Sequence, residues 1–482
     1  MPPIYKKTRN MGVYRIYPSK SNSIANGRYS LYNAGQNAVT NLWYGGGRGA
    51  NTVQRENTYS RFLMQFDLST LMQKFANNEI MSGNVVTYKL KMTNAIPTDR
   101  DLERDGNIVA LDKVISQSYD LIAFPVNKAW DEGRGYDLLE SEFVFTRYGV
   151  PRITGYSNWD SATTLTSWDE GGVFSNPSAS TTNYATQHFS LGNENIDLNL
   201  TNLVTAWVSG TTANTGVGLA YTRPYELISS DTQSFASFYT QHTNTAFKPY
   251  IEVSYNQLIE DDRLYVSNNR ASKLYLYTFS GDSPVNYTSI GSVNITDNSG
   301  SVVFSGLTVN QVERGVYYVE VTMTGATKGQ KYKDVWNDVV FQTGVDSTTF
   351  TQTFTIKDNY YSRTPSINEY VVDIYGIENG SKIRSGDQVK VFCDLRSNFR
   401  SHKAPTNPYR MFYRIVMNSQ VEVAPWTQVN RVVIDNCQSH YVDLDTTWLL
   451  HNQSYKIEFK IQEYGTNRTL PQSVDFRVLN PF

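Results

Sequence analysis

The chain has 482 residues, of which 40% are hydrophobic, 13% aromatic and only 18% charged, and its formal net charge at pH 7 is −2. One hydrophobic core rarely organises a chain of this length, so several domains are expected. The near-neutral charge argues against nucleic acid or anionic membranes as partners, and no stretch approaches the roughly 20 apolar residues of a membrane helix.

The first region, residues 1–257, is predicted to consist mainly of β-strands. Apolar residues there alternate, or form short runs, between Asn, Gly, Ser and Pro. Two short helices are expected, at 69–76 and 199–209, and Gly- or Asn-rich segments such as 45–47 and 175–183 are expected to be loops. The predicted strands cover 12–18, 60–66, 85–92, 119–125, 188–191, 218–221, 234–239 and 250–255.

The segment RFLMQFDL, residues 61–68, looks at first like the start of an amphipathic helix. Its alternation instead favours a strand with Phe62, Met64 and Phe66 on one face. Asp67 or Ser69 then caps the turn that follows. We therefore interpret this segment as a determinant of the fold and not as part of a catalytic site.

Beyond residue 257 the predicted strands become shorter and more closely spaced, with turn signals such as Asn-Ser-Gly between them. This spacing is typical of immunoglobulin-like sandwiches. We predict one such sandwich at 258–357 and a second at 358–482, with 358–368 as the linker or crossover. The predicted strands of the last domain cover 370–375, 388–394, 409–417, 439–443 and 455–462.

The sequence contains none of the common catalytic or metal-binding motifs. The GGGRG segment at 45–49 lacks the Lys-Ser/Thr of a phosphate-binding loop, and no nucleophile elbow or dinucleotide fingerprint is present. We predict no catalytic residue, no cofactor and no metal ligand. The histidines form no metal-binding pattern; they are His188, His242, His402, His440 and His451.

Two WDEG tetrapeptides begin at Trp130 and Trp168, 38 residues apart. The adjacent carboxylates Asp131 and Glu132 could serve a glycosidase, or bind Ca²⁺ or glycan with a tryptophan as the stacking surface. Neighbouring side chains in extended chain point to opposite sides, however, and the flanking glycines indicate turns. We favour structural packing by the two tryptophans and keep the other interpretations as alternatives.

The remaining polar features have structural interpretations. Two cysteines in 482 residues, Cys393 and Cys437, do not make a disulfide scaffold, and we expect free buried thiols. The first residues lack the apolar segment of a secretory signal, so folding in cytosol is expected. Basic residues are scattered and are interpreted as solvated or locally paired; they include Lys6, Lys7, Arg9, Arg396 and Arg400.

Several segments, taken in their order along the chain, resemble a known group of proteins. They include RFLMQFDLS, AWDEGRGYD and FKPYIEVSYN in the first region, GVYYVEV and YKDVWNDVVF in the second, and YGIENGSKIRSGDQVKV in the third. The set is similar to structural proteins of tailed-bacteriophage virions, and the resemblance covers most of the chain. It implies an N-terminal jelly-roll-like sandwich of the carbohydrate-binding-module type, and a tail, neck or collar component with no catalytic residues.

The sequence therefore predicts an all-β protein: a jelly-roll-like sandwich with short capping helices at 1–257, then immunoglobulin-like sandwiches at 258–357 and 358–482. The expected function is that of a virion structural protein, made in the host cytoplasm and assembled into a homo-oligomeric ring or sleeve with other tail or neck proteins. The N-terminal dozen residues are expected to take part in contacts. The alternatives are a glycan-binding adhesin or receptor-binding fibre that uses Trp130, Trp168 or neighbouring tyrosines, and a polysaccharide lyase or hydrolase that uses Asp131 and Glu132.

Overall fold

A computed structural model of the chain describes most of its length. The described residues are 12–27, 30, 33–47, 56–95, 118–135, 156–173, 183–227, 234–281, 283–341, 347–357, 370–397, 409–419, 421–434, 437–463 and 466–480. The predicted linker at 358–368, the basic residues Lys6, Lys7, Arg9 and Arg400, and His402 lie outside them, as does nearly all of the predicted loop at 175–183.

The fold class is confirmed: the chain is an all-β protein with a jelly-roll-like sandwich and short helices, followed by two immunoglobulin-like sandwiches. Its described residues form two compact units. The first unit comprises 14–72 and 86–253, and the second unit comprises 12–13, 73–85 and the described part of 254–482. Each β-sheet lies within one of the three predicted domains, whose boundaries stay a prediction.

The first region contains a four-stranded sheet in the order β1-β11-β5-β8 and a seven-stranded sheet in the order β10-β3-β4-β9-β6-β7, with β2 pairing β4. Its strands are β1 (Gly12–Ile16), β2 (Pro18–Ala25), β3 (Val39–Gly47), β4 (Glu56–Phe66), β5 (Val85–Met92), β6 (Tyr119–Pro125), β7 (Ala185–Phe189), β8 (Ile196–Asn199), β9 (Val217–Tyr221), β10 (Ser234–Tyr239) and β11 (Tyr250–Tyr255). Its helices are α1 (Ser69–Ala76), the 3-10 helix Ser82–Asn84, α2 (Thr201–Val208) and α3 (Arg223–Glu226).

Strand β4 contains the alternating segment that the sequence singled out. β4 is a central strand that pairs with β2, β3 and β9. The consecutive residues Phe62, Leu63 and Met64 point to alternate faces and are all buried, so both faces of the strand are covered. The Asp67 carboxylate accepts a hydrogen bond from the Ser69 N–H at 2.9 Å, which confirms the predicted cap of the following turn. The first helix has the predicted bounds.

Three predictions for this region were wrong in detail. Gly45–Gly47 are not a loop, because they form the end of β3 and pair with the start of β4. Gly47, for example, lies opposite Glu56. The strand predicted at 12–18 is two strands, interrupted at Tyr17. Helix α2 begins two residues later than predicted, since Asn199 still belongs to β8.

The second region is a sandwich of a three-stranded sheet, β12-β18-β17, and a four-stranded sheet, β16-β15-β19-β20, with the small pair β13-β14 beside them. Leu274 and Val319 from one sheet pack with Ile295, Trp336 and Phe354 from the other in one buried core. The strands are β12 (Ala271–Tyr277), β13 (Phe279–Ser280), β14 (Ser283–Pro284), β15 (Ser292–Asp297), β16 (Val302–Phe304), β17 (Asn310–Glu313), β18 (Val316–Thr322), β19 (Lys331–Val339) and β20 (Thr348–Thr355).

The third region is a sandwich of a four-stranded sheet, β21-β23-β27-β26, and a five-stranded sheet, β22-β29-β28-β24-β25. The alternation of β28, with every second residue from Tyr455 to Glu463 buried, shows how the sequence pattern aims one face at the core. The strands are β21 (Tyr370–Tyr375), β22 (Ser381–Arg384), β23 (Gln388–Ser397), β24 (Arg410–Met417), β25 (Val421–Gln428), β26 (Asn430–Ile434), β27 (Cys437–Asp445), β28 (Ser454–Glu463) and β29 (Thr466–Leu479).

Candidate functional site

The two WDEG loops of the first unit are packing elements. Trp130 is 1% exposed and Trp168 is 5% exposed, and both belong to one buried cluster with Trp159. The Trp130 indole N–H donates to the Thr215 carbonyl at 2.9 Å, and that of Trp168 donates to the Asn158 carbonyl at 2.8 Å. The structural interpretation is confirmed, and the idea that these two rings stack against a glycan is wrong because neither ring face is accessible.

The two carboxylates of the first WDEG loop have different surroundings. Glu132 Oε1 accepts hydrogen bonds from the Ser21 N–H at 2.8 Å, from His242 Nε2 at 2.9 Å, and from the Gln241 side chain. Asp131 is exposed. Glu132 is therefore held as an acceptor for neighbouring strands and loops. Among the described residues, no group of three or more His, Cys, Asp or Glu side chains could hold a metal ion.

Arg61, the first residue of the alternating segment, is fully buried and forms an ion pair that the sequence did not reveal. Its Nε and Nη2 atoms contact the two carboxylate oxygens of Glu226 at 2.8 and 2.9 Å, and Nη1 donates to the Gly172 carbonyl at 2.5 Å. The bidentate pair joins β4 to α3, and the third bond holds the second WDEG loop. This is a structural site, because each donor is used within the fold.

Several buried charges of the second unit lie where the second and third regions meet. The segment Ile259–Arg263 precedes β12 and runs beside β26, with the Asp261 N–H donating to the Arg431 carbonyl at 3.1 Å and the Arg431 N–H donating to the Ile259 carbonyl at 2.8 Å. We call five buried charged side chains at this interface the junction charge cluster. Its members are Asp261, Asp262, Arg263, Asp334 and Arg431.

Ion pairs connect the members of the junction charge cluster. Arg431 Nη2 contacts Asp262 Oδ1 at 2.9 Å, and Arg263 contacts Asp261 and Asp334, each at 2.8 Å. Asp334 also accepts the indole N–H of Trp336 at 2.9 Å, in the core of the second region. All five side chains are buried, so the charges are paired away from water. The cluster links the core of one sandwich to a strand of the next.

Burial shapes the ionisation of these groups. It raises the pKa of Asp261 to about 7, although the Arg263 guanidinium opposes the shift. Burial and the positive charge of Arg431 lower the pKa of the nearby His440 to about 3, so that this imidazole is neutral at physiological pH. His440 is therefore a buried, uncharged side chain.

Apolar side chains surround the charges. Ile259, Tyr275 and Val312 of the second region pack with Val432 and Tyr441 of the third in one buried cluster. The Arg431 guanidinium also lies over the Tyr265 ring, 5.0 Å from its centre. The interface thus combines a hydrophobic cluster with paired charges, which gives it the character of a domain core.

A cavity of about 450 Å³ lies beside this interface, within the second unit. Its wall carries three tyrosines, Tyr255, Tyr413 and Tyr441, together with amides and carboxylates. Burial, with the Asp443 carboxylate adding to it, raises the pKa of Glu313 in this wall to about 7. Two lysines are paired with carboxylates there: Lys74 with Asp445 at 2.6 Å and Lys390 with Asp443 at 2.8 Å.

No protein-family profile matches the chain, and no curated protein matches it either. Among solved structures, a DUF4785 family protein from Legionella pneumophila is 10% identical, with 95% of this chain and 92% of that chain covered and a TM-score of 0.17. The fibronectin(III)-like modules of Clostridium thermocellum CbhA are 11% identical over 46% of this chain and 92% of theirs, at a TM-score of 0.16. The N-terminal Ig1-2 module of the Drosophila receptor tyrosine phosphatase DLAR is 14% identical, with 44% of this chain and 92% of that chain covered and a TM-score of 0.16. Scores of this size support no inference about function.

The remaining sequence-predicted residues have ordinary roles. Cys393 and Cys437 are both free, as predicted, but only Cys393 is buried. Arg396 pairs locally with Asp373 at 2.6 Å. His188 pairs with Asp120 at the surface. Within the described ranges, no helix is long and apolar enough to cross a membrane.

Proposed function

We propose that the chain is a structural component of a tailed-bacteriophage virion, which assembles as copies in a ring or sleeve at the tail or neck. The proposal rests on the ordered segments that resemble such proteins and on one structural observation, the junction charge cluster. A particle component transmits load between its neighbours, so its domains need a fixed mutual arrangement. A buried set of paired charges favours one arrangement, because any displacement leaves a desolvated charge without its partner.

The direct test is to locate the polypeptide. Particles purified from the lysate of a host that expresses the chain are analysed by mass spectrometry, and an antibody raised against the second unit is used to label them. We expect the chain in stoichiometric amount in intact particles and the label at the tail or neck. A chain found only in the soluble fraction, with none in the particles, would contradict the proposal.

Glycan binding is the second candidate, and the cavity is the observation that favours it. The Tyr255, Tyr413 and Tyr441 side chains line the cavity, and the amide oxygen of Gln257 is buried without a hydrogen-bond partner among the described residues. Sugar hydroxyls both donate and accept, so they suit such a wall. Glycan-array binding that is lost in Tyr413→Phe, with Tyr375→Phe as an exposed control, would support this candidate.

A further inference from the structure

The strand β20 is an edge strand without charge or Pro, and only its N-terminal end pairs across a bulge in β19. It lies at the end of its four-stranded sheet and has no neighbour beyond it among the described residues. Natural edge strands are commonly shortened, bulged, charged or interrupted by Pro, because a free row of N–H and C=O groups recruits other strands. The opposite edge, β16, follows this rule, since it is three residues long and adjoins a bulge. The eight residues of β20, TTFTQTFT, contain no charge and no Pro.

The sequence of β20 reads the same in both directions. From Thr349 to Thr355 it is TFTQTFT, a palindrome with Gln352 at its centre. An antiparallel pair of identical strands related by a two-fold axis at Gln352 would therefore place Phe350 opposite Phe354 and Thr351 opposite Thr353. Every residue type would meet a compatible one, and no like charges would be opposed.

The hydrogen-bond pattern of β20 is compatible with this register. Ile356, directly after the strand, directs both its N–H and its C=O toward the β19 side, where they bond to Gln330 and Gly329. Directions alternate along a strand, and the register from Phe350 to Thr355 is regular, so Thr351, Thr353 and Thr355 present their N–H and C=O to the free edge. In the palindromic register Thr351 pairs with Thr353 of the other copy, and Thr355 pairs with Thr349. Gln352 then forms the central non-hydrogen-bonded pair.

The two faces of β20 also suit a continuous sheet. Phe354 lies in the sandwich core and Phe350 packs against it, so the even-numbered residues face inward. Thr349 and Thr351 are exposed on the other face. Pairing two copies would continue the apolar layer on one side and create threonine pairs on the other, and it would form about eight hydrogen bonds between the copies.

We propose that β20 is a self-pairing strand, through which two copies of the chain join antiparallel about Gln352 to form one continuous sheet from two four-stranded sheets. The contact is isologous, so it closes a dimer by itself. It neither requires nor excludes a ring: dimers are a unit from which two stacked rings can be built through other surfaces. The inference stands independently of the virion function.

The first experiment measures the mass of the whole chain by sedimentation equilibrium over a range of concentrations. We expect a monomer–dimer equilibrium for the unchanged chain. The double variant Thr351→Lys/Thr353→Lys places lysines opposite lysines and should weaken the dimer at least ~10-fold, since like charges directly opposite repel. The variant Thr351→Glu/Thr353→Glu should do the same. An equimolar mixture of the two variants should restore the dimer, because each lysine then faces a glutamate.

The second experiment tests the register, in a background that carries Cys437→Ser. In the proposed pair the two residues at position 352 lie on the axis, with Cα atoms about 4.5 Å apart, within reach of a disulfide. Gln352→Cys should therefore form a cross-linked dimer under mild oxidation. Thr355→Cys, three residues away on the same strand, is the control, because its opposite residue is Thr349 and not itself.

Three results would overturn the inference. The first is a chain that remains monomeric at high micromolar concentration. This holds even if β20 binds a strand of another virion protein, because the edge would then belong to a different partner. Lysine and glutamate variants that dimerise like the unchanged chain would place the interface elsewhere. Equal cross-linking at positions 352 and 355 would show random collision and not a defined register.

Discussion

Replacing Arg431 by methionine is the sharpest test of the junction charge cluster. The change keeps an unbranched apolar stem but removes the guanidinium that contacts Asp262 at 2.9 Å and donates from Nε to the Asp261 carbonyl at 3.1 Å. Asp262 is only 7% exposed, so its carboxylate would remain buried without this cation. Removal of one partner of a buried ion pair costs about 3–5 kcal/mol. We expect Arg431→Met to destabilise the second unit by that amount.

The measurement is hydrogen–deuterium exchange of the whole chain, followed peptide by peptide. A local loss of about 3–5 kcal/mol would accelerate exchange at Ile259–Arg263 and in β26 by more than a hundredfold, because each 1.4 kcal/mol is a factor of ten. The first unit should be unaffected. Lys456→Met is the matched control: its partner Asp475 is 3.7 Å away and half-exposed, so the pair should contribute less than about 1 kcal/mol.

A second variant separates lost charge pairing from lost packing. In Arg431→Met/Asp262→Leu neither member of the pair is charged, and apolar replacement of a buried pair is often neutral. We expect this double variant to recover much of the stability. Exchange at the junction within a factor of two of the unchanged chain, or a loss of stability no larger than that of Lys456→Met, would show that the ion pair of Arg431 does not stabilise the junction.

Three further outcomes are expected. Arg61→Met removes the bidentate cation of the buried Glu226 carboxylate and leaves it only Arg223, 3.3 Å away. Thermal denaturation should therefore show a loss of about 3 kcal/mol in the first unit, at the low end for a broken buried pair, partly recovered by adding Glu226→Leu. Burial and a neighbouring carboxylate raise the pKa of Glu313 from its ordinary 4.5 to about 7, so ionisation disfavours the native state as the pH rises through this interval. In urea unfolding, the free energy of unfolding of Glu313→Gln should therefore rise by about 1–2 kcal/mol relative to that of the unchanged chain as the pH goes from 5 to 8. This is less than the full pKa shift implies, because the cavity admits water. An equal difference between the two chains at both pH values would contradict the prediction. The exposed Cys437 should react with a thiol reagent in the native chain, whereas Cys393, whose pKa burial raises, should react only after unfolding; simultaneous reaction of both would refute this.

The sequence predicts most of the strands because burial on one face produces a pattern that is visible locally. The segments 85–92, 119–125, 234–239 and 250–255 coincide with β5, β6, β10 and β11. At Gly45–Gly47 the sequence predicted a loop where the structure has a strand, because a glycine run carries no side-chain pattern and this part of β3 is defined by its pairing with β4. The local sequence pattern therefore predicts a strand where alternate side chains point to the core. It fails where only backbone pairing with a neighbouring strand defines the strand.

The ion pairs could not be predicted for a different reason. Arg61 and Glu226 are 165 residues apart, and Arg431 and Asp262 are 169 apart. Without knowledge of its partners, the Asp-Asp-Arg segment at 261–263 is expected to be exposed to solvent, since charged residues are almost never fully buried unless they are paired. The one local signal was an arginine at the head of an otherwise apolar alternating strand. Such a residue, at a position that the strand period assigns to a buried face, calls for a buried partner.

The junction charge cluster is better explained by geometry than by stability. Two of its buried atoms, Arg263 Nε and Asp334 Oδ1, have no hydrogen-bond partner among the described residues, so the desolvation of these groups is incompletely compensated. An apolar interface of the same size would avoid that cost, but apolar side chains tolerate sliding and repacking. Arg431 of β26 must meet the Asp262 carboxylate and the Asp261 carbonyl across the junction, and this favours one register between the two sandwiches. Under the proposed virion function this would matter, because an angular error at each junction would accumulate around an assembly of copies.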